Sequence, residues 1–367
     1  MKRITLDKIA SATSRLELSH RASLTEQIKA SVGYVLALRV LDRKEVYNQL
    51  EDPAGRMVKI YPGDVITGVL GERKALQGYS GRVPERIAVG DMLHLLNLGG
   101  VVGLCDSFNP MVGPPMRLEV LGAVMVFPVM ESREGVAAHI QMKALEPVAS
   151  LGATPPVVFV SGTCMNSGKT LAACEIVRGL TRQGLKVGAA KLTGVALRRD
   201  TLAMLDCGAA RALSFCDAGY PSTTAATAPG AARAVLSALA APSVDALDVI
   251  VAELGDGLLG EYGVMPILEQ PDIMGRQTVH VCCASDPVGA FGAASLFEAR
   301  LGRRVDVFSG PATDNGVGCN YIERQLDTPA HNARDDAERL GQAVMAALRG
   351  QALRPSEVVE EVRNVAV

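Results

Sequence analysis

A glycine-rich segment between an apolar run and a helical pattern constrains this chain more than any other feature. The run VVFVSG predicts a buried strand, and LAACEIVRGLTRQG predicts a helix that Gly184 closes. Between them lies Gly168-Lys169-Thr170, the arrangement that binds phosphate through backbone N–H groups and a helix N-terminus. The usual spacing places a glycine at position 163, but Thr163 stands there and the glycine is Gly162. An ordinary glycine turn is the alternative, and the strand–loop–helix context favours the phosphate loop.

The sequence that follows repeats the alternation of strand and helix. Later apolar runs, KVGAAKLTG, ALDVIVAELGDG, TVHVCCAS and VDVFSG, are separated by helical patterns. Such alternation predicts a parallel sheet covered by helices on both faces. We therefore predict an α/β fold, with a parallel-sheet phosphate-loop nucleotide-binding domain at residues 151–350 and a loosely held tail at 351–367.

The amino-terminal part of the chain has a different pattern. From about Val32 to Met142, short strand-like runs alternate with Gly and Pro turn signals, which predicts a smaller, mainly-β, barrel-like domain. Ser/Thr starts and helical spacing predict one or two short leading helices between Leu6 and Ala30. A segment rich in Pro and small residues, 146–156, marks the boundary, so this domain spans residues 1–150.

Composition excludes several classes of partner. The net charge of −2 and an aromatic content of 4%, with no Trp, argue against nucleic acid and against an anionic membrane. No apolar run has the length of a signal peptide core or of a spanning helix, which favours a cytoplasmic location. The eight cysteines lack CxxC spacing, and a structural zinc site is not expected.

Three oxygen-bearing residues follow strands of the predicted sheet and are candidates for a metal site. Thr170, Asp200 and Glu253 stand at or just after carboxyl ends of strands, where ligands bind in open parallel sheets. Mg²⁺ prefers such hard oxygen ligands around nucleotide phosphates. A helix N-cap is the alternative for Asp200, and a capped strand end is the alternative for Glu253. Lys191, in the apolar setting GAAKLTG, is a candidate phosphate or substrate contact, with a surface lysine as the alternative.

The loop and three later stretches resemble the dethiobiotin synthetase group of phosphate-loop NTPases, within the SIMIBI class, over residues 157–320. The resembling loop form is G-T-x-x-x-x-G-K-T, here Gly162, Thr163, Cys164, Met165, Asn166, Ser167, Gly168, Lys169 and Thr170. The resemblance also covers the strand ending at Lys191, the helix opening at Asp200, and Glu253-Leu254-Gly255-Asp256-Gly257, where Leu254 replaces a glycine. It implies ATP or GTP with Mg²⁺, and a base contact near Asn315.

These residues predict phosphoryl transfer, with Lys169, Lys191 and Glu253 as the catalytic groups. The resemblance implies a ligase or kinase that activates a carboxylate-bearing small metabolite, for C–N bond formation. The alternatives are a nucleotide-switched accessory NTPase for cofactor or metal delivery, and a transferase regulated by nucleotide. A covalent role for Cys164 stands beside its alternative as a loop former. We expect a small-molecule substrate and a homo-oligomer, with no nucleic acid or membrane as partner.

Overall fold

The structure is a computed structural model that describes residues 2–128, 134–241, 246–275 and 277–350. The chain divides into two compact units. The amino-terminal unit consists of Met1–Glu146, Val195–Arg199 and Phe215–Thr223, and the phosphate-loop unit consists of Pro147–Gly194, Asp200–Ser214 and Thr224–Val367. The predicted tail at 351–367 lies outside the described residues.

The amino-terminal unit is built from short strands around a closed ring. Its strands are β1 (Lys2–Thr5), β2 (Arg21–Thr25), β3 (Val35–Val40), β4 (Gln49–Glu51), β5 (Met57–Lys59), β6 (Val65–Leu70), β7 (Arg73–Lys74), β8 (Tyr79–Arg82), β9 (Met92–Leu95), β10 (Val101–Phe108), β11 (Met116–Val126) and β12 (Val136–Ala137). Strand β11 pairs with β3, β3 with β6, β6 with β10, β10 with β9, and β9 again with β11. The ring therefore closes, which confirms the prediction of a mainly-β, barrel-like domain.

Alternation of side chains along the strands divides the apolar residues of this unit between two clusters. On β3, Leu36 and Leu38 belong to one cluster, together with Ile66 and Leu118. Their neighbours on the same strand belong to a second cluster with residues of the leading segment and of β2. Successive strand residues point to opposite faces of a sheet. Both faces of β3 are therefore buried, which explains why consecutive residues of this strand are apolar.

The leading segment differs from its prediction. Between residues 6 and 30 the chain forms a short 3-10 helix, Ser11–Leu16, and then strand β2. Arg21–Thr25 alternates buried and partly exposed side chains, and it pairs with both β1 and β11. Tertiary pairing here overrides the local helical spacing.

The phosphate-loop unit is an α/β structure. Its elements are β13 (Val157–Gly162), α1 (Lys169–Arg182), β14 (Val187–Thr193), α2 (Arg199–Asp206), β15 (Arg211–Ser214), α3 (Ala228–Ala240), β16 (Val249–Leu254), α4 (Val264–Leu268), α5 (Pro271–Met274), β17 (Thr278–Cys283), α6 (Pro287–Leu301), β18 (Val307–Ser309), α7 (Gly316–Leu326) and α8 (Ala337–Leu348). The sheet order is β15-β14-β16-β13-β17-β18, and each of these pairings is parallel. This confirms the predicted fold class.

Burial explains the sequence of this unit. Strands β13 and β16 are buried at every position, as the centre of a sheet covered on both faces requires. Helix α1 buries Ala172, Ala173, Ile176 and Leu180, which recur with helical spacing. At its far end α1 packs on α8 through glycines, and a Cβ on Gly179 would stand 3.5 Å from the Cα of Gly341.

Two segments that follow β14 and β15 belong to the amino-terminal unit. They pair with each other, since Val195 and Ser222 form an antiparallel bridge and the Ala196 N–H donates to Pro221 O at 2.8 Å. Asp217 accepts from Arg15 at 3.0 Å. The amino-terminal unit is thus completed by residues from the loops that follow two neighbouring strands of the other unit.

The described ranges contain no helix with both the length and the hydropathy that crossing a bilayer needs. None of the eight cysteines, all of which lie in the described ranges, forms a disulfide.

A buried histidine in β17 makes stability depend on pH. The His280 ring is 3% exposed, lies between Phe159 and Phe297, and places Nε2 2.8 Å from Ser161 Oγ. Burial lowers the pKa of His280 to about 3. Between about pH 6.5 and pH 3 the unfolded chain therefore binds a proton that the folded chain does not.

We predict that the free energy of unfolding falls as pH drops through this window, by at most about 1.4 kcal/mol per pH unit from this group. Urea unfolding at a series of pH values measures it. His280→Asn removes this contribution, so its curve is flatter than that of the unsubstituted protein. Parallel curves for the two proteins would contradict the account.

Candidate functional site

The phosphate loop joins the end of β13 to the start of α1. Its backbone has positive φ at Asn166 (61°) and at Gly168 (86°), and Gly168 is the N-cap of α1. Such turns point successive N–H groups into one concave surface, where the helix dipole also favours an anion. The predicted residues 162–170 therefore form a loop with the geometry that phosphate binding needs.

The displaced glycine has a steric explanation. A Cβ on Gly162 would lie 2.1 Å from Ser167 Oγ and 3.0 Å from Cys283 O, so a side chain at position 162 displaces the Ser167 hydroxyl in a crowded place. Thr163 occupies the position where the usual spacing has glycine, and its Oγ1 accepts from the Ser285 N–H at 3.2 Å. The glycine is needed where strand and loop approach most closely, and here that place is position 162.

Glycines of two later loops contact the phosphate loop. A Cβ on Gly257, after β16, would lie 2.7 Å from Thr163 O, and one on Gly310, after β18, would lie 2.5 Å from Ser167 O. Both distances are too short for any other residue without a backbone shift. The loops that follow β16 and β18 therefore pack directly on the phosphate loop.

Lys169 lies inside the loop. It is 6% exposed, and its Nζ donates to Cys164 O at 2.6 Å and to Ser167 Oγ at 3.3 Å. Burial lowers the pKa of this lysine, and the Glu253 carboxylate offsets part of that shift. The ammonium group is held by the same loop whose N–H groups would bind a phosphate.

The structure brings four of the five predicted metal and catalytic residues into one chain of contacts. Thr170 Oγ1 donates to Glu253 Oε1 at 3.0 Å, and Lys191 Nζ lies 3.8 Å from the same oxygen. Lys191 also forms an ion pair with Asp200. The sheet register explains the meeting, because Lys191 and Glu253 are opposed residues on the adjacent parallel strands β14 and β16.

One oxygen in this group is buried without a partner. Glu253 is 2% exposed, and its Oε2 is enclosed with no hydrogen-bond donor. A buried carboxylate oxygen normally binds a donor or a cation. Together with the Thr170 hydroxyl and Asp200, it is a donor set that suits Mg²⁺, which binds proteins through one or two carboxylates and takes its other ligands from phosphates and water. The described residues hold no cluster of three or more His, Cys, Asp or Glu side chains able to bind a metal by themselves.

Sequence reasoning assigned no role to Asp256. It lies in the loop after β16 with φ of +78°, a conformation that favours glycine, and its Oδ1 is buried without a partner. Burial raises the pKa of the Asp256 carboxyl, against smaller lowering effects of the Gly257 N–H and of Lys169. The available signal was an aspartate inside the glycine-rich run Glu253 to Gly257.

The remaining predicted contacts have local partners. Cys164 Sγ lies 2.9 Å from Ser285 Oγ. Asn315 is the N-cap of α7 and accepts from the Val317 N–H at 2.9 Å, while Asp314 accepts from Asn332 at 2.8 Å. These contacts explain why Asn315 begins a helix, and its contact with a base stays a prediction.

Comparison with known proteins gives a likeness of fold only. No family model matches the chain, and no curated protein matches it. Chloroplast FtsY of Physcomitrella patens is 16% identical, over 57% of this chain and 70% of that one, with a TM-score of 0.38. FtsY of Thermotoga maritima is 14% identical, over 56% and 72%, with a TM-score of 0.36. The signal recognition particle 54 kDa protein of Aeropyrum pernix, in complex with GDP, is 16% identical, over 55% and 41%, with a TM-score of 0.29.

Two predictions are corrected against these comparisons. The prediction of a ligase or kinase for a carboxylate-bearing metabolite is wrong, because the similar structures are FtsY proteins and a signal recognition particle protein rather than metabolite ligases. The predicted small-molecule substrate is wrong on the same finding, and the homo-oligomer stays a prediction. The specific likeness to dethiobiotin synthetase is not shown, and what these structures share with this chain is the fold. A fold of this kind does not specify the acceptor of a phosphoryl group.

Substitution of Gly162 tests the loop geometry. We predict that Gly162→Ala weakens binding of a fluorescent nucleotide at least about tenfold, because the added Cβ displaces Ser167. Gly292→Ala is the matched control, since a Cβ at that helix position meets no atom within 4 Å. Equal nucleotide affinity of both variants and the unsubstituted chain would show that the loop does not hold the phosphates.

Proposed function

We propose that this chain is a Mg²⁺-dependent nucleoside triphosphatase that acts as a nucleotide-dependent switch for a protein partner. One observation carries the proposal. Glu253 Oε2 is buried and has no hydrogen-bond partner among the described residues. The other oxygen of this carboxylate accepts a hydrogen bond from Thr170, the second residue of the helix that follows the phosphate loop. A charged oxygen in that place is costly unless a cation accompanies it.

Separate residues of the site would bind the phosphates and the metal ion. The loop amides and Lys169 would hold the phosphates of ATP or GTP, and Thr170, Asp200 and Glu253 would hold Mg²⁺. Bound Mg²⁺ supplies charge neutralisation at the phosphate oxygens. Lys191 contacts both Asp200 and Glu253 and would offset part of their negative charge in a buried setting.

Hydrolysis needs a group that orients water, and Asp256 suits this role. Its Oδ1 is buried without a partner, and its loop packs on the phosphate loop through Gly257. In the reaction a water oxygen bonds to the terminal phosphorus while the bond from that phosphorus to the bridging oxygen breaks. The products are a nucleoside diphosphate and inorganic phosphate.

The exposed surface of helices α6 and α7 supports a protein as the partner. Val288 is 79% and Phe291 54% exposed on α6, and Val317 is 79% exposed on α7. These helices contact each other and follow β17 and β18 in sequence. Exposed apolar side chains grouped in this way are typical of protein–protein contacts.

Phosphate release from ATP and GTP, with and without Mg²⁺, tests the activity. We predict slow, Mg²⁺-dependent release without any added acceptor metabolite. Lys169→Ala reduces the rate about 100-fold or more, because it removes the buried charge that faces the phosphates. Equal rates for Lys169→Ala and the unsubstituted chain would show that this loop does not carry the reaction.

Asp256→Asn separates hydrolysis from binding. We predict a fall in kcat of about 10-fold or more with nucleotide affinity retained, because the amide orients water poorly. Asp306→Asn is the control, since that carboxylate accepts from the His280 N–H at 2.7 Å just before β18, at the opposite end of that strand from the phosphate loop. A loss of nucleotide affinity in Asp256→Asn at unchanged kcat would contradict the assigned role.

A further inference from the structure

A buried carboxylate in the amino-terminal unit accepts hydrogen bonds from a segment that connects two residues of the predicted nucleotide site in the sequence. Glu51, the last residue of β4, is 0% exposed. Its Oε2 accepts from the Arg198 N–H at 2.7 Å and its Oε1 from the Arg199 N–H at 2.8 Å. The Ser11 hydroxyl donates to the same carboxylate.

These two donors are at the start of helix α2, which begins at Arg199. The first N–H groups of a helix have no partner within it, and an acidic group there is favourable to the helix dipole. Helices commonly take such a cap from a neighbouring residue. Here the cap comes from a residue 147 and 148 positions earlier in the chain.

The rest of the segment 195–199 is held by the same unit. The Ala196 N–H donates to Pro221 O at 2.8 Å, and the Arg198 guanidinium donates to Pro53 O. A Cβ on Gly99 would lie 2.0 Å from Ala196 O, so the backbones approach as closely as glycine allows. The segment is therefore fixed at several backbone atoms, and Glu51 fixes the two nearest to α2.

The position of this segment in the chain gives Glu51 its significance. Lys191 precedes the segment at the end of β14, and Asp200 follows Arg199 directly in the first turn of α2. Lys191 and Asp200 form an ion pair, and both belong to the predicted metal and phosphate site. Fixing the N–H of Arg199 restricts where the next residue, Asp200, can place its carboxylate.

We propose that Glu51 is a positioning residue for the Mg²⁺-nucleotide site. By capping the start of α2 it restricts the place of Asp200, and so affects how tightly the metal is held. The reverse also follows, since binding energies are linked. Metal and triphosphate at Asp200 would stabilise the capped start of α2. This inference rests on the metal role of Asp200 in the proposed function.

The test uses the full chain and the conservative variant Glu51→Gln. The glutamine side chain has an NH₂ group in place of one carboxylate oxygen, and this group cannot accept from a backbone N–H. One of the two capping hydrogen bonds is therefore lost. We expect the Mg²⁺ concentration at half-maximal triphosphate binding to rise about tenfold. Affinity for the nucleotide in EDTA, which depends on the loop alone, stays unchanged. Hydrogen exchange at the amides of Arg198 and Arg199 becomes about tenfold faster.

Asp64→Asn is the matched control. The Asp64 carboxylate accepts from the Tyr61 N–H at 2.7 Å and pairs with Lys8, in the same unit but away from the segment. If Glu51 only stabilised the fold, Glu51→Gln would lower Tm in the way that Asp64→Asn does. The Mg²⁺ dependence of triphosphate binding would then be unchanged in both variants. The proposal requires the Mg²⁺ shift in Glu51→Gln alone.

A folded Glu51→Gln protein with unchanged Mg²⁺ dependence overturns the proposal. If Glu51→Gln does not fold, Ser11→Ala decides the question, because it keeps the carboxylate and removes only its hydroxyl donor. A smaller Mg²⁺ shift in the same direction then supports the proposal, and no shift contradicts it. Absence of Mg²⁺-dependent binding in the unsubstituted chain would refute the proposed function instead. Exchange at Arg198 and Arg199 would still report on the cap.

Discussion

The Glu253 carboxylate is the group on which the phosphate-loop unit depends. It stands at the end of the fully buried strand β16, where an isolated negative charge is very costly. Two neighbours offset part of this cost, the Thr170 hydroxyl at 3.0 Å and the Lys191 ammonium at 3.8 Å. Each neighbour comes from a different element, so the carboxylate ties α1, β14 and β16 together. Its remaining oxygen is buried and has no hydrogen-bond partner among the described residues, and it is the atom at which the proposed cation would bind.

The geometry of the loop follows from the same crowding at the carboxyl edge of the sheet. Gly162, Gly257 and Gly310 come from the ends of three strands, and at each a side chain would collide with the loop or its neighbours. Lys169 lies within the same loop, where its Nζ donates to Cys164 O. Position 163 carries a side chain, and the Thr163 hydroxyl accepts from the Ser285 N–H.

Much of this site could be predicted from sequence because its signals are local. The strand–loop–helix pattern located residues 162–170, and placement at the ends of parallel strands brought Lys191, Asp200 and Glu253 into the prediction. Asp256 was missed because its distinctive properties, positive φ and an enclosed oxygen, are products of packing. Glu51 was missed for a stronger reason. Its partners lie about 150 residues away, and no periodicity links them. Likewise, pairing with β1 and β11 made a strand of Arg21–Thr25, where local spacing suggested a helix.

The predicted reaction failed for a related reason, since phosphate and metal residues identify what is held and leave the acceptor unspecified. The central claim is that the carboxylate of Glu253 and the hydroxyl of Thr170 hold a divalent ion beside a triphosphate in the loop. A crystal structure with Mg²⁺ and a non-hydrolysable triphosphate tests it most directly. The account predicts phosphates within the 162–170 loop, Lys169 Nζ turned from Cys164 O to a phosphate oxygen, and the ion near Glu253. Triphosphate bound elsewhere, or an ion remote from Glu253 and Thr170, would contradict it.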